Sequence, residues 1–190
     1  MRELTPLCLL AKKHMTDKGG RHNLYDGNYT SICHEYTPVY WDMFNEIRHS
    51  VTRVLEIGVL GGCSLRMWKE FFPNAQIVGV DIEKRAVIGY RIWVFQGNQA
   101  SRPELEAAAA HWAPYDLIID DGSHEPSHQQ NTIVSLLPYL KDGGFYVCED
   151  IHCDVQDLIN VIPRGYVYKV PITDPGINCA NEKLLVIQHG

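Results

Sequence analysis

The sequence predicts an α/β fold: one mostly parallel sheet with helices on both faces and an antiparallel strand at its C-terminal end. Three observations carry this. From Val51 onward, short continuous apolar runs alternate with segments of helical spacing, the pattern of strands buried on both faces and joined by helical crossovers. The last two apolar runs follow each other without a long helix between them, so they are free to pair antiparallel. The chain has 190 residues, of which 45% are apolar and 21% charged, enough for one core and too few for a second independent one.

Taken in order, "RVLEIG" (Arg53 to Gly58) is a short apolar run ended by glycine. "SLRMWKEFF" then places Leu65, Trp68, Phe71 and Phe72 at helical spacing. "AQIVGVD" is a second strand ending at Asp81, and "YRIWVFQG" a third. Ser101 to Trp112, rich in Ala and Glu with Pro103 in its first turn, reads as a helix. "YDLIIDD" is the fourth strand, "HQQNTIVSLLPYL" a helix despite Pro138 near its end, and "GGFYVCED" the fifth strand. "VQDLINVI" is a further helix, and "YVYKVPI" and "KLLVIQH" are the closing strands. Residues 1–50 read as one or two helices with the polar loop "TDKGGRHNLYDGNYTS", a cap or lid packed on the same core. Residues 51–190 form that core, so the chain is effectively one domain.

A net charge of −6 argues against general binding to nucleic acid or to a membrane surface, because both need basic patches. No apolar run approaches the ~20 residues of a membrane helix, and "MRELTPLCLLAKKH" lacks a small-residue cleavage site. The six cysteines (Cys8, Cys33, Cys63, Cys148, Cys153, Cys179) are scattered without a C-x-x-C pair, which suits reduced thiols and a cytoplasmic protein.

Two strand ends carry the chemistry. "LEIGVLGG" sets Glu56, Gly58, Gly61 and Gly62 between a strand and a helix, where glycine permits a tight turn and close approach of a ligand to backbone. The plain alternative is an ordinary strand-to-helix turn. Asp81 closes the next strand, where an acidic residue grips the ribose hydroxyls of an adenosine ligand; the alternative is a cap on the following turn. The turn lacks G-x-G-x-x-G spacing, and Glu56 would crowd a pyrophosphate while tolerating an ammonium. Both points favour S-adenosylmethionine (SAM) over NAD. Asn98, in "GNQ" after the third strand, is the candidate for the adenine edge.

At the second site, strands four and five end in Asp120-Asp121 and Glu149-Asp150. Four carboxylates on one edge raise each other's pKa, and a divalent cation is the simplest remedy. An all-oxygen set selects Mg²⁺, Mn²⁺ or Ca²⁺ over zinc. A zinc reading of Cys148, His152 and Cys153 fails on spacing. His124, three residues after Asp121, is a suitable proton acceptor because imidazole titrates at ~6.5. His128 reads as a helix-surface residue. Asp120 is counted with the cofactor side, supporting the site from behind or orienting His124.

"LEIGVLGGCSLRMWKEFFPNAQIVGVDI", "YDLIIDDGSHEPSHQQ" and "GGFYVCEDIH" resemble the metal-dependent class I SAM O-methyltransferases of antibiotic sugars, the mycinamicin and macrocin type, as do "MTDKGG" and "HEYTPVYWDMF". The resemblance implies a Rossmann-like methyltransferase sheet, Mg²⁺ (or Mn²⁺) on Asp121, Glu149 and Asp150, and His124 as base. It also implies that Glu56, Gly58 and Asp81 face SAM, and Gly61 of the same glycine turn is expected on the cofactor side with them. The expected acceptor is a hydroxyl of a small molecule, a sugar of a natural-product glycoside, and the expected state is a homo-oligomer. Where the larger macrolide enzymes carry an extra N-terminal domain, about fifty residues precede the first strand here. Catechol-type relatives use a lysine near the metal Asp, and none stands between Asp116 and Lys141. "TDKGG" and "HEYTPVY" are expected over the SAM pocket, with Thr16, Asp17 and Lys18 near the methionine end and Tyr36 or Tyr40 toward the acceptor. The alternative is a helix pair that only covers the sheet. Two rival functions stay open at this point: an NAD-dependent oxidoreductase, which leaves both carboxylate pairs idle, and a SAM- or metal-binding protein without catalysis.

Overall fold

The computed structural model describes residues 4–19, 34–86, 89–171 and 183–190. The remainder of the polar loop, with Cys33, and the segment with Cys179 lie outside the described residues. Among the described residues seven strands form one sheet: β1 (Arg53–Ile57), β2 (Gln76–Asp81), β3 (Ile92–Gln96), β4 (Tyr115–Asp120), β5 (Leu140–Cys148), β6 (Tyr166–Lys169) and β7 (Leu185–His189). Their order is β3-β2-β1-β4-β5-β7-β6. Strands β1 to β5 pair in parallel, and β7 runs antiparallel to both β5 and β6.

Helices cover both faces. On one lie α1 (Pro6–His14), α2 (Thr37–Phe44) and α3 (Cys63–Phe71); on the other lie α4 (Arg102–Ala110), α5 (Pro126–Leu136) and α6 (Val155–Ile159). The first core is aromatic. Trp68, Phe71 and Phe72, read from sequence as one helix face, are fully buried together with Tyr40 and Phe44, and their rings meet at 4.7–6.4 Å in stacked, edge and tilted contacts. The second core packs Leu55, Ile57, Val78 and Ile118 against Leu105, Ile133, Leu136 and Leu158.

Element ends differ from the sequence reading where proline intervenes. The helix expected to run to Leu140 stops at Leu136, and Pro138 sits in a single 3₁₀ turn, Leu137–Tyr139, because proline removes a helical donor and clashes with the preceding turn. The fifth strand then starts at Leu140, three residues earlier than its glycine pair suggested. Among the described residues no helix is long and apolar enough to cross a membrane.

This topology positions the site. Strand β1 is central, with β2 on one side and β4 on the other. Chain order therefore reverses at β1/β4, and the crevice at the carboxyl ends of those strands is where open α/β sheets hold ligands.

Candidate active site

A cavity of about 850 Å³ opens at that crevice, within the ~300–1,000 Å³ of small-molecule sites. Gly58, Gly61, Asp81 and Asn98 line one half, and Asp121, His124, His128 and Asp150 line the other.

Gly58 has φ +90°, and a Cβ there would lie 1.9 Å from the carbonyl oxygen of Asp121. Only glycine lets the turn after β1 pass so close to the end of β4. The Asp81 carboxylate accepts from the amides of Val59 and Leu60, both at 3.0 Å, and from Glu83 at 2.9 Å, with Arg85 Nε 3.2 Å away. Burial pushes its pKa up, but these donors outweigh that and hold it below the usual carboxylate range. Asn98 lines the cavity while its Oδ1 accepts from Ala100 N at 2.9 Å. Beside it, Gln99 joins the two halves: Oε1 accepts from Ser123 N at 2.8 Å, and Nε2 donates to Asp120 at 2.7 Å and Thr132 at 2.9 Å. A side chain at Gly122 would meet that amide at 2.2 Å.

On the other half, ligand atoms of Asp121, His124 and Asp150 all lie within 4.8 Å of one another. Two of the three are in the left-handed region, His124 at φ +60° and Asp150 at φ +51°. Such backbone costs about 1–3 kcal/mol per residue and collects at functional sites. His124 Nε2 is 3.8 Å from Asp150 Oδ2, its Nδ1 is buried and has no hydrogen-bond partner among the described residues, and its ring meets His152 edge-on at 6.1 Å. Two carboxylates and an imidazole this close together could hold a divalent cation. His128 instead bonds Ser123 Oγ through Nδ1 at 2.8 Å.

Behind the cavity lies a buried charge network. Lys18, 1% exposed, places Nζ 2.5 Å from Asp121 Oδ2, 2.5 Å from Glu149 Oε2 and 3.3 Å from Glu56 Oε1. Tyr40 donates to Glu149 Oε1 and Tyr36 to Asp150 Oδ1, while His34 Nδ1 is 3.3 Å from Asp150 Oδ1. Burial pushes the Lys18 ammonium down, but Asp121, Glu149 and Glu56 together hold it protonated, well above the usual lysine value. Burial lifts Glu56 to about 7 against the pull of Lys18. Asp120 is also raised by burial to about 7, while accepting from Gln99 and, at 2.9 Å, from Tyr146.

The structure thus brings Gly58, Gly61, Asp81, Asn98, Thr16, Asp121, His124 and Asp150 to one cavity. Glu56, Lys18, Asp120 and Glu149 stand behind its wall. Asp120 bonds Gln99 and Tyr146 and not His124. Tyr36 and Tyr40 point inward to the carboxylates, both buried. Sequence reasoning missed Gln99, Tyr146 and His34. It also found no lysine near Asp121, yet one arrives from 103 residues upstream. Gln99 had a signal, since it follows Asn98 in the same strand-end loop; the Lys18 contact had none.

A methyltransferase domain family matches residues 55–151. The chain is 39% identical over 150 residues to 8-demethyl-8-(2-methoxy-alpha-L-rhamnosyl)-tetracenomycin-C 3'-O-methyltransferase of Streptomyces olivaceus, covering 75% of this chain and 36% of that protein. It is 44% identical over 128 residues to mycinamicin VI 2''-O-methyltransferase of Micromonospora griseorubida, covering 63% of this chain and 32% of that protein. The chain therefore spans about a third of the length of these curated relatives. Among solved structures, the MycE methyltransferase of the mycinamycin pathway in complex with Mg, SAH and mycinamycin VI superposes with a TM-score of 0.80 at 29% identity, over 98% of this chain and 55% of that one.

Proposed function

The chain belongs to the methyltransferase domain family, and from that premise we propose that it is a SAM-dependent O-methyltransferase that uses a divalent metal to methylate a small-molecule hydroxyl, a sugar of a natural-product glycoside. One observation carries the reading. The convergent Asp121, His124 and Asp150 form one half of a cavity whose other half is the Gly58, Asp81 and Asn98 strand ends. A cofactor and an acceptor would therefore meet at the switch point of the sheet. The named relatives are O-methyltransferases of a rhamnosyl-tetracenomycin C and of mycinamicin VI, and the MycE structure holds Mg and SAH, which supports the same assignment here.

Gly58, Asp81 and Asn98 would hold SAM, with Thr16 at the cavity's N-terminal side and Glu56 behind the turn. Asp121 and Asp150 would hold the metal, while Glu149, expected with them from the sequence, stands behind the wall with Oε2 on Lys18 and Oε1 on Tyr40. When bound, SAM supplies an electrophilic methyl group, and a divalent ion lowers the pKa of an acceptor hydroxyl by several units. His124 Nε2 would take the acceptor hydroxyl's proton as that oxygen receives the methyl group SAM supplies. Asp150, 3.8 Å away, stabilises the imidazolium that results. His124 has left-handed backbone and lines the cavity, and among the described residues nothing bonds its Nδ1.

The test is incubation with methyl-labelled SAM, Mg²⁺ and a panel of macrolide and anthracycline-type glycosides, read by mass spectrometry. A labelled methyl ether on a sugar is expected. Label on a catechol but on no sugar would discard the glycoside assignment, and no transfer to any hydroxyl, with SAM bound, would discard the enzyme reading.

A further inference from the structure

Each of the three carboxylates assigned to the metal half is gripped from behind by residues that precede β1. Lys18 holds Asp121 and Glu149, Tyr40 holds Glu149, and Tyr36 and His34 hold Asp150. The chain is built to present Lys18 there. Met15, left-handed at φ +60°, closes α1 and turns the chain inward, with its amide and that of Thr16 bonded back to Lys12 and Ala11. The carbonyls of Asp17, Lys18 and Gly19 then accept from the amides of His34, Tyr36, Thr37 and Glu35. Lys18 is therefore clamped on its backbone as well as on its ammonium. Burying an ammonium costs several kcal/mol unless it is paired. Such a group persists where its charge is used.

We propose that Lys18 is a positioning residue: a fixed internal cation that orients Asp121 and Glu149, and thereby sets the affinity of the site for a divalent ion without lining the cavity. The inference rests on the reading of Asp121 and Asp150 as metal-holding residues. Both Asp121 Oδ2 and Glu149 Oε2 lie 2.5 Å from one nitrogen. Without that nitrogen two carboxylate oxygens would face each other at no more than about 5 Å at the back of the cavity, where like charges repel. One of them would rotate or take up a proton, and Asp121 would leave its present aim. Groups that orient metal ligands in this way typically contribute a factor of about 10–100 in metal affinity.

The experiment titrates Mn²⁺ into the wild-type chain, Lys18→Met and Tyr40→Phe, following the ion by electron paramagnetic resonance, SAM by calorimetry and fold by circular dichroism. Lys18→Met should weaken Mn²⁺ by about ten- to a hundredfold and change the line shape of the bound ion, with SAM affinity kept within about threefold. Tyr40→Phe keeps the ring in its core and removes only the hydroxyl on Glu149. It should weaken Mn²⁺ severalfold by the same route, and it carries the test if Lys18→Met does not fold. A lysine that merely fills space predicts unchanged Mn²⁺ affinity and line shape in whichever variant folds, and that result overturns the proposal. A wild-type chain that takes up no Mn²⁺ overturns the metal reading itself, which is a distinguishable failure.

Discussion

Adding one methyl group at Gly58 should do more damage than any other single-carbon change at the strand-end turns. The Gly58 backbone sits at φ +90°, and its added Cβ would fall 1.9 Å from the Asp121 carbonyl oxygen and 3.1 Å from Gly122 Cα. Real contacts of this kind stay beyond 3.0 Å, so the turn and the end of β4 must part by roughly 1 Å, an overpacking strain of about 1–3 kcal/mol. The left-handed backbone adds about 1–2 kcal/mol for a residue with a Cβ. Gly58→Ala should therefore lose about 2–5 kcal/mol, or roughly 4–20 °C in Tm for a chain of this size. The retreat also breaks the bond from Asp121 N to Ile57 O, now 2.9 Å, and shifts the Asp121 side chain. SAM and Mn²⁺ affinities should both fall. Gly61→Ala is the matched control: its nearest neighbour would be Cys63 Sγ at 3.9 Å, with no left-handed φ, so it should stay within about 0.5 kcal/mol. Thermal unfolding of the apo chain by circular dichroism, followed by calorimetry, reads both variants. If Gly58→Ala and Gly61→Ala melt together, the close-approach reasoning is wrong.

His124→Ala should lower kcat by about 10²–10⁴ while SAM affinity holds, and His128→Ala, whose ring is tied to Ser123, should be mild; equal losses in the two would remove His124 as the base. EDTA should abolish methyl transfer and Mg²⁺ or Mn²⁺ restore it, with Asp121→Asn and Asp150→Asn each cutting it sharply; full turnover in EDTA would return those carboxylates to a structural role. Asp81→Ala removes the acceptor of three backbone amides and should weaken SAM by about ten- to a hundredfold, whereas wild-type calorimetry from a folded variant would exclude it from the cofactor side. At the opposite end of the sheet, burial raises the Asp116 pKa, but Lys141 Nζ at 2.6 Å and the Thr52 and Arg53 amides at 2.8 Å outweigh it and hold it below its ordinary value. A carboxylate lowered on folding stabilises above its unfolded pKa of about 3.9 and loses that contribution as pH falls through the folded value. In urea titrations, the stability gap between wild type and Asp116→Asn should accordingly shrink on acidification from pH 6 to pH 3, and a gap that ignores pH would refute the pairing.

The sheet was legible because buried parallel strands write themselves as unbroken apolar runs. "LIID" and "IVGVD" need no partner to be recognised. Helix faces were legible where bulky residues recur at 3.6, as at Trp68 and Phe71. The end of α5 was misread because Pro138 changes the turn type without changing the apolar pattern. Of the strand-end residues singled out in the sequence, Gly58, Gly61, Asp81, Asp121, His124 and Asp150 line the one cavity, and Asp120 and Glu149 do not. What stayed hidden was orientation. Adjacent acids such as Glu149 and Asp150 read alike in a sequence, yet Asp150 lines the cavity and Glu149 turns to Lys18 and Tyr40. A contact between residues 18 and 121 leaves no local periodicity, so only the packed chain reveals that the N-terminal segment supplies the counter-charge.

The side chain of Gln99 bonds Asp120, Thr132 and the amide of Ser123, while its own carbonyl accepts from Asn131 at 2.7 Å. It is the joint between the loop that carries Asn98 and the turn that carries His124. Where such a joint couples two ligands, the dependence is symmetrical: if filling the Asn98 side steadies Ser123 and tightens what binds beside His124 by some factor, filling the His124 side tightens the first ligand by that same factor. Order of addition would then change the path by which the two meet, and the free energy of the full assembly would be the same by either path.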